Sequence, residues 1–102
     1  MLQNEGQIAL VTGAGGGIGR AIAKKFAEFG ASVVVADLNV AGAEETVTML
    51  PNPTGKAKHA ALKMDVTSKA NVQEGFAWVK ETYGRLDLLM NNAGVSTMHH
   101  LV

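Results

Sequence analysis

Apolar and polar positions along this chain form four short apolar runs separated by segments of helical period. Ile8-Ala9-Leu10-Val11-Thr12 is continuous rather than alternating, which suits a strand buried on both faces of a parallel sheet. From Ile18 the period changes. Ile18, Ile22, Phe26 and Phe29 recur at helical spacing, while Arg20, Lys24, Lys25 and Glu28 fall mostly elsewhere. Gly30 then supplies a helix stop. Ser32-Val33-Val34-Val35-Ala36-Asp37 is a second uninterrupted run, rich in β-branched residues. Asn39 is placed to cap a helix from Val40 to about Leu50, Pro51 ends it, and Pro51 to Gly55 is a turn.

The pattern repeats twice more. His59 to Val66 reads as a third strand, ending in Met64-Asp65-Val66. Thr67 or Ser68 caps a helix on which Val72, Phe76, Val79 and Tyr83 form a stripe, closed by Gly84. Leu86 to Met90 reads as a fourth strand, followed by Asn91-Asn92-Ala93-Gly94. Strand–helix alternation at this spacing means βαβ units with right-handed crossovers and a parallel sheet. The expected fold class is α/β: a Rossmann-like doubly wound parallel sheet, incomplete, running β-α-β-α-β-α-β in the strand order 3-2-1-4. Residues 1–102 read as one segment with no internal boundary.

Charge and composition narrow the function. Nine basic and nine acidic residues balance, so nothing favours nucleic acid or an anionic membrane as partner. The absence of cysteine excludes disulfides, thiolate catalysis and thiolate metal sites. No apolar run approaches the roughly 20 residues a membrane helix needs, and the polar start is unlike a signal peptide. The expectation is a cytoplasmic protein.

Five of the 12 glycines fall in Gly13-Ala14-Gly15-Gly16-Gly17-Ile18-Gly19, between a buried strand and an amphipathic helix. A strand feeding into a helix N-terminus presents unpaired N–H groups and the positive end of the helix dipole, a place for a pyrophosphate. The strict G-x-G-x-x-G spacing fails at Ile18, and no P-loop can be placed. A flexible glycine turn therefore remains an alternative for the cluster alone. Asp37 shifts the balance. It ends the second strand on the same sheet edge, about 20 residues past the turn, where a carboxylate can accept from both ribose hydroxyls. The same carboxylate would repel a 2′-phosphate, so NAD is expected over NADP.

Thr12-Gly13-Ala14-Gly15-Gly16-Gly17-Ile18-Gly19 resembles the T-G-x-x-x-G-x-G cofactor motif of the short-chain dehydrogenase/reductase family. Met64-Asp65-Val66 and Asn91-Asn92-Ala93-Gly94 are similar to that family's motifs after its third and fourth strands. The three occur in order, each at a strand end, across nearly the whole chain. The resemblance implies that Gly13, Ala14, Gly15, Gly16, Gly17, Ile18 and Gly19 wrap the pyrophosphate and adenosine side, mostly by backbone. It implies that Asp37 and Leu38 hold the adenosine ribose, and that Asp65 and Val66 meet the adenine. Asn92 and Ala93 would line the cofactor cleft near the ribose, and Gly94 would let the chain turn under the nicotinamide half. Thr12 and Asn91 read as structural, tying strand ends together.

The family carries its chemistry on a serine and a Tyr-x-x-x-Lys pair, helped by an asparagine, downstream of the N-N-A-G motif. A lysine near the tyrosine lowers its pKa enough for proton transfer. Tyr83 is the lone tyrosine, and Asp87, not lysine, stands four residues on. Ser96 follows N-N-A-G too closely to match the family's serine. His99 and His100 are adjacent rather than at ligand spacing, so no metal site is expected. Trp78 reads as a partly buried packing residue. No catalytic residue is therefore expected within the chain. The sequence favours the N-terminal part of a longer NAD-dependent oxidoreductase acting on a small-molecule alcohol or carbonyl. A homo-oligomer is expected only of a complete chain. A truncated, non-catalytic nucleotide-binding or partner-binding module, or a partly folded fragment, stays open as an alternative.

Overall fold

In the computed structural model, which describes residues 2–92, four parallel strands form one sheet in the order β3-β2-β1-β4. The elements are β1 (Ile8–Thr12), α1 (Gly17–Glu28), β2 (Ser32–Asp37), α2 (Val40–Met49), β3 (Ala60–Lys63), α3 (Lys69–Tyr83) and β4 (Leu88–Asn91). This is the α/β, Rossmann-like arrangement that the alternating pattern predicts.

Both faces of the central strands are covered, which is why their sequences are unbroken apolar runs. Ala9, Val11, Val33 and Val35 pack with Ala23 and Ala27 of α1 and Ala43 of α2. Ile8, Leu10, Val34 and Ala36 pack on the other side with Val79 of α3, Phe76 and Trp78 lying against that cluster. Register aligns the carboxyl ends. Thr12 stands opposite Ala36 and Asn91, and Asp37 opposite Lys63. The residues at these ends and in the loops after them therefore share one edge of the sheet.

The stripe expected on α1 is only partly its inner face. Ile22 and Phe26 pack against the core, but Ile18 is 71% and Phe29 38% exposed. The buried line is instead Gly19, Ala23 and Ala27, spaced four apart. Its cause is close approach: a Cβ on Gly19 would stand 2.2 Å from the Gly13 carbonyl oxygen. Only small residues let the helix lie so near the strand end.

Strand boundaries also differ from expectation, at both sheet margins. The third strand is Ala60–Lys63 rather than His59 to Val66. The His59 ring accepts from the Val33 N–H at Nδ1 (3.0 Å) and donates from Nε2 to the Pro51 carbonyl (2.9 Å), replacing ladder pairing at that end. The fourth strand is Leu88–Asn91 rather than Leu86 to Met90, because the Asp87 carboxylate accepts from the Ile8 N–H (2.8 Å) ahead of it. Leu86 instead packs on the α3 side.

The helix ends follow the expected chemistry. Asn39 caps α2 by accepting from the Gly42 N–H (3.2 Å), and Ser68 rather than Thr67 caps α3 by accepting from the Asn71 N–H (3.2 Å). Gly84, in the left-handed region, closes α3. Among the described residues β4 has a single neighbour in the sheet, and Leu89 and Met90 are exposed on it.

Candidate functional site

The glycine turn occupies the carboxyl end of β1. Gly13 (φ 65°) and Gly17 (φ 56°) lie in the left-handed region, which a side chain would disfavour, so the turn needs glycine at both. Gly16 precedes α1 and has no side chain to cap it, and no described residue accepts from its N–H. Nothing lies within 4 Å of where a Cβ would stand at Gly16 or Gly17. The helix thus presents unsatisfied donors to open space, which suits an anion.

The Asp37 carboxylate lies across this turn. Its Oδ2 accepts from the Gly15 N–H (2.8 Å) and its Oδ1 from the Asn39 N–H (2.9 Å). A carboxylate accepts about four hydrogen bonds, so two backbone donors orient it and leave room for two hydroxyls. Beside it a hollow of about 170 Å³ is lined by Gly13, Asp37, Leu38, Asp65 and Thr67, with Met64 and Val66 completing the wall.

Asp65 lines the same hollow. Thr67 donates to its Oδ1 from both hydroxyl (2.6 Å) and backbone N–H (2.9 Å), and these bonds hold its pKa below the usual carboxylate value. The Asn71 side chain accepts from the Asp65 N–H, fixing the loop to α3. Asp65 is therefore an ionised acceptor in a fixed place.

Asn92 donates to the Gly13 carbonyl (3.2 Å), and Thr12 donates to Asn91 Oδ1 (2.9 Å). The end of β4 is thereby tied both to the glycine turn and to the end of β1. Ala93 and Gly94, expected at the cofactor cleft, lie outside the described residues, as do Ser96, His99 and His100. Tyr83 is placed by packing: its hydroxyl donates to the Lys58 carbonyl (2.6 Å), its ring meets Trp78 edge-on, and burial pushes its pKa up. Trp78 is half-buried against the α3-side core. No group of three or more potential metal ligands occurs among the described residues, and no helix there is long and apolar enough to cross a membrane.

Behind the turn lies a set of contacts that sequence reading missed. Arg20 donates to the Gly15 carbonyl (2.9 Å), to Thr46 Oγ1 (2.8 Å) and to Glu45 (2.8 Å). The buried Thr46 hydroxyl donates in turn to the Ala14 carbonyl (2.7 Å). The available signal was a glycine inside the second helix, Gly42, whose Cβ would come 2.7 Å from the Gly15 oxygen.

Comparison with known proteins bears on this arrangement directly. The family profile described as short chain dehydrogenase matches residues 7–101. The chain belongs to the short-chain dehydrogenase/reductase family. It is 43% identical over 91 residues to an uncharacterised oxidoreductase of Bacillus subtilis, covering 89% of this chain and 13% of that protein. It is 42% identical over 94 residues to D-threitol dehydrogenase of Mycolicibacterium smegmatis, covering 92% and 35% respectively. Its fold matches a short-chain dehydrogenase/reductase from Burkholderia phymatum solved in complex with NAD, with a TM-score of 0.75 and 35% identity, over 87% of this chain and 31% of that one. The chain thus spans about a third or less of the length of these family members.

Proposed function

We propose that this chain is the NAD-binding part of an oxidoreductase that interconverts a hydroxyl and a carbonyl on a small molecule. The observation that carries the reading is the Asp37 carboxylate, oriented by the Gly15 and Asn39 N–H groups above the glycine turn. In that position it accepts from the two adenosine ribose hydroxyls. The open N-terminus of α1 takes the pyrophosphate, and the hollow between Leu38 and Asp65 takes the adenine. When bound, the nicotinamide supplies or accepts the hydride. The chain's own residues bind and orient it. The family resemblance implies serine, tyrosine and lysine chemistry after Asn91-Asn92-Ala93-Gly94, so on this reading turnover belongs to the whole protein, which we take to be cytoplasmic and oligomeric.

NAD is favoured over NADP on charge. A 2′-phosphate about 4 Å from Asp37 would meet like-charge repulsion of about 4 kcal/mol at an effective dielectric near 20. Arg20, the cation that follows the turn, is engaged by Gly15, Thr46 and Glu45 and so offers little relief.

Calorimetric titration of NAD and NADP into the parent chain and into Asp37→Ala tests this. We expect NAD affinity to fall about a hundredfold in the variant, for two lost charge-assisted bonds, and the NAD/NADP ratio to narrow toward one. An unchanged ratio would remove the ribose role. A second reading, a nucleotide-binding module without turnover, draws on Tyr83, whose hydroxyl is engaged by Lys58. NAD reduction by the chain with secondary alcohols would exclude it.

A further inference from the structure

We infer that Arg20 and Thr46 are positioning residues for the pyrophosphate: from behind the glycine turn they set two successive peptide planes so that the Gly16 N–H faces the ligand. The inference rests on the dinucleotide reading above. In a trans peptide the N–H points opposite to the preceding carbonyl, and every described peptide bond here is trans. Holding a carbonyl therefore aims the next N–H.

Thr46 Oγ1 donates to the Ala14 carbonyl (2.7 Å), and the Gly15 N–H on the opposite side reaches Asp37 Oδ2 (2.8 Å). Arg20 Nη2 donates to the Gly15 carbonyl (2.9 Å), so the Gly16 N–H points the other way, where no described residue accepts it and nothing crowds it. A glycine turn without these anchors would sample flipped peptides at little steric cost. Arg20 is itself fixed at three points, since its planar fork also meets Thr46 Oγ1 and Glu45 Oε1 (2.8 Å each). Gly42 completes the seat by letting the first turn of α2 approach the Gly15 oxygen. Because Glu45 pairs the guanidinium charge, the device works by aim and not by simple attraction.

The test compares ADP-ribose, which carries the pyrophosphate, with adenosine, which does not. Both are titrated into the ¹⁵N-labelled parent chain and into Arg20→Met, Thr46→Val and Thr46→Ser. We expect Arg20→Met to lose about tenfold in ADP-ribose affinity, with adenosine affinity unchanged within about twofold. Thr46→Val also frees the Gly15 N–H that orients Asp37, so it should lose about tenfold for ADP-ribose and distinctly less for adenosine. Thr46→Ser, which keeps the hydroxyl, retains parental affinity. The Gly16 amide signal should shift in the two defective variants before any ligand is added. Thr46→Val removes no charge, so its defect separates aim from attraction. Arg20 is partly exposed, so Arg20→Met carries the test if the buried substitution fails to fold. Equal loss of both ligands, or unchanged ADP-ribose binding, overturns the inference. A parent chain that binds neither ligand overturns it together with the dinucleotide reading.

Discussion

The two faces of the sheet are built from the same strands and solve different problems. On the α1 and α2 face the buried residues are almost all alanine and valine, with Gly19 at the point of closest approach. On the α3 face Ile8, Leu10, Met64 and Val79 are joined by Leu62, Val72, Phe76, Trp78 and Tyr83. Small residues bring two helices close enough for Arg20, Thr46 and Asp37 to hold a glycine turn by hydrogen bonds. Large residues on the other face bury more apolar area per side chain but contribute little to that geometry. Closeness on one face fixes the geometry of the turn, and bulk on the other buries apolar area.

Gly19→Val should break this contrast most severely. Its Cβ would meet the Gly13 carbonyl oxygen of the turn and the Asn92 amide that donates to it. Overpacking of this kind costs about 3 kcal/mol, a fall in Tm of roughly 15 °C for a domain this size. Thermal unfolding followed by circular dichroism checks the loss of stability, and titration checks the loss of NAD binding that goes with it. Parental stability and binding would mean α1 can retreat without consequence.

Val79→Ala should be milder and of a different kind. Val79 is fully buried on the α3 face, away from the turn. Removing its two methyl groups should cost about 2 kcal/mol in urea denaturation. NAD affinity of the remaining folded protein should stay parental. A matching loss of affinity would show that the two faces are not separable.

How much of this contrast the sequence could show depends on range. Ile8 to Thr12 and Ser32 to Asp37 announce themselves because a strand buried on both faces must be apolar throughout, whatever its partners. Asn39 and Gly84 are legible because a helix end is a local event. Asp37 is legible from its distance to the turn. The limits of β3 and β4 are not, since they depend on His59 reaching Val33 and Asp87 reaching Ile8 from far along the chain. The same holds for Arg20 and Thr46, 26 residues apart, each unremarkable within its own helix. Ile18 misled because helical period identifies an apolar stripe but not the face where a close packing partner tolerates only glycine and alanine.

The smallest expected effect lies at the foot of β4, away from both helical faces. Hydrogen bonds from Arg85 and the Ile8 N–H hold the Asp87 pKa below its usual value. The folded value is thus lower than the unfolded one. The stabilisation is present above the unfolded aspartate pKa of about 3.9 and is lost as pH falls through the folded value. Urea midpoints at pH 7 and pH 3 should therefore fall less for Asp87→Asn than for the parent. Asp65, also lowered, contributes alike in both chains and cancels in the difference. Equal falls would mean the carboxylate is not coupled to folding.

The dinucleotide site proposed for the small-residue face rests on its glycine turn and Asp37. The most direct measurement is an amide ¹H–¹⁵N titration of this chain with NAD. The Gly15, Gly16, Gly17, Leu38 and Asp65 signals should move together and saturate at one affinity, while Val79 and its neighbours on α3 stay still. Shifts confined to α3 and β4, or none at all, would contradict that site.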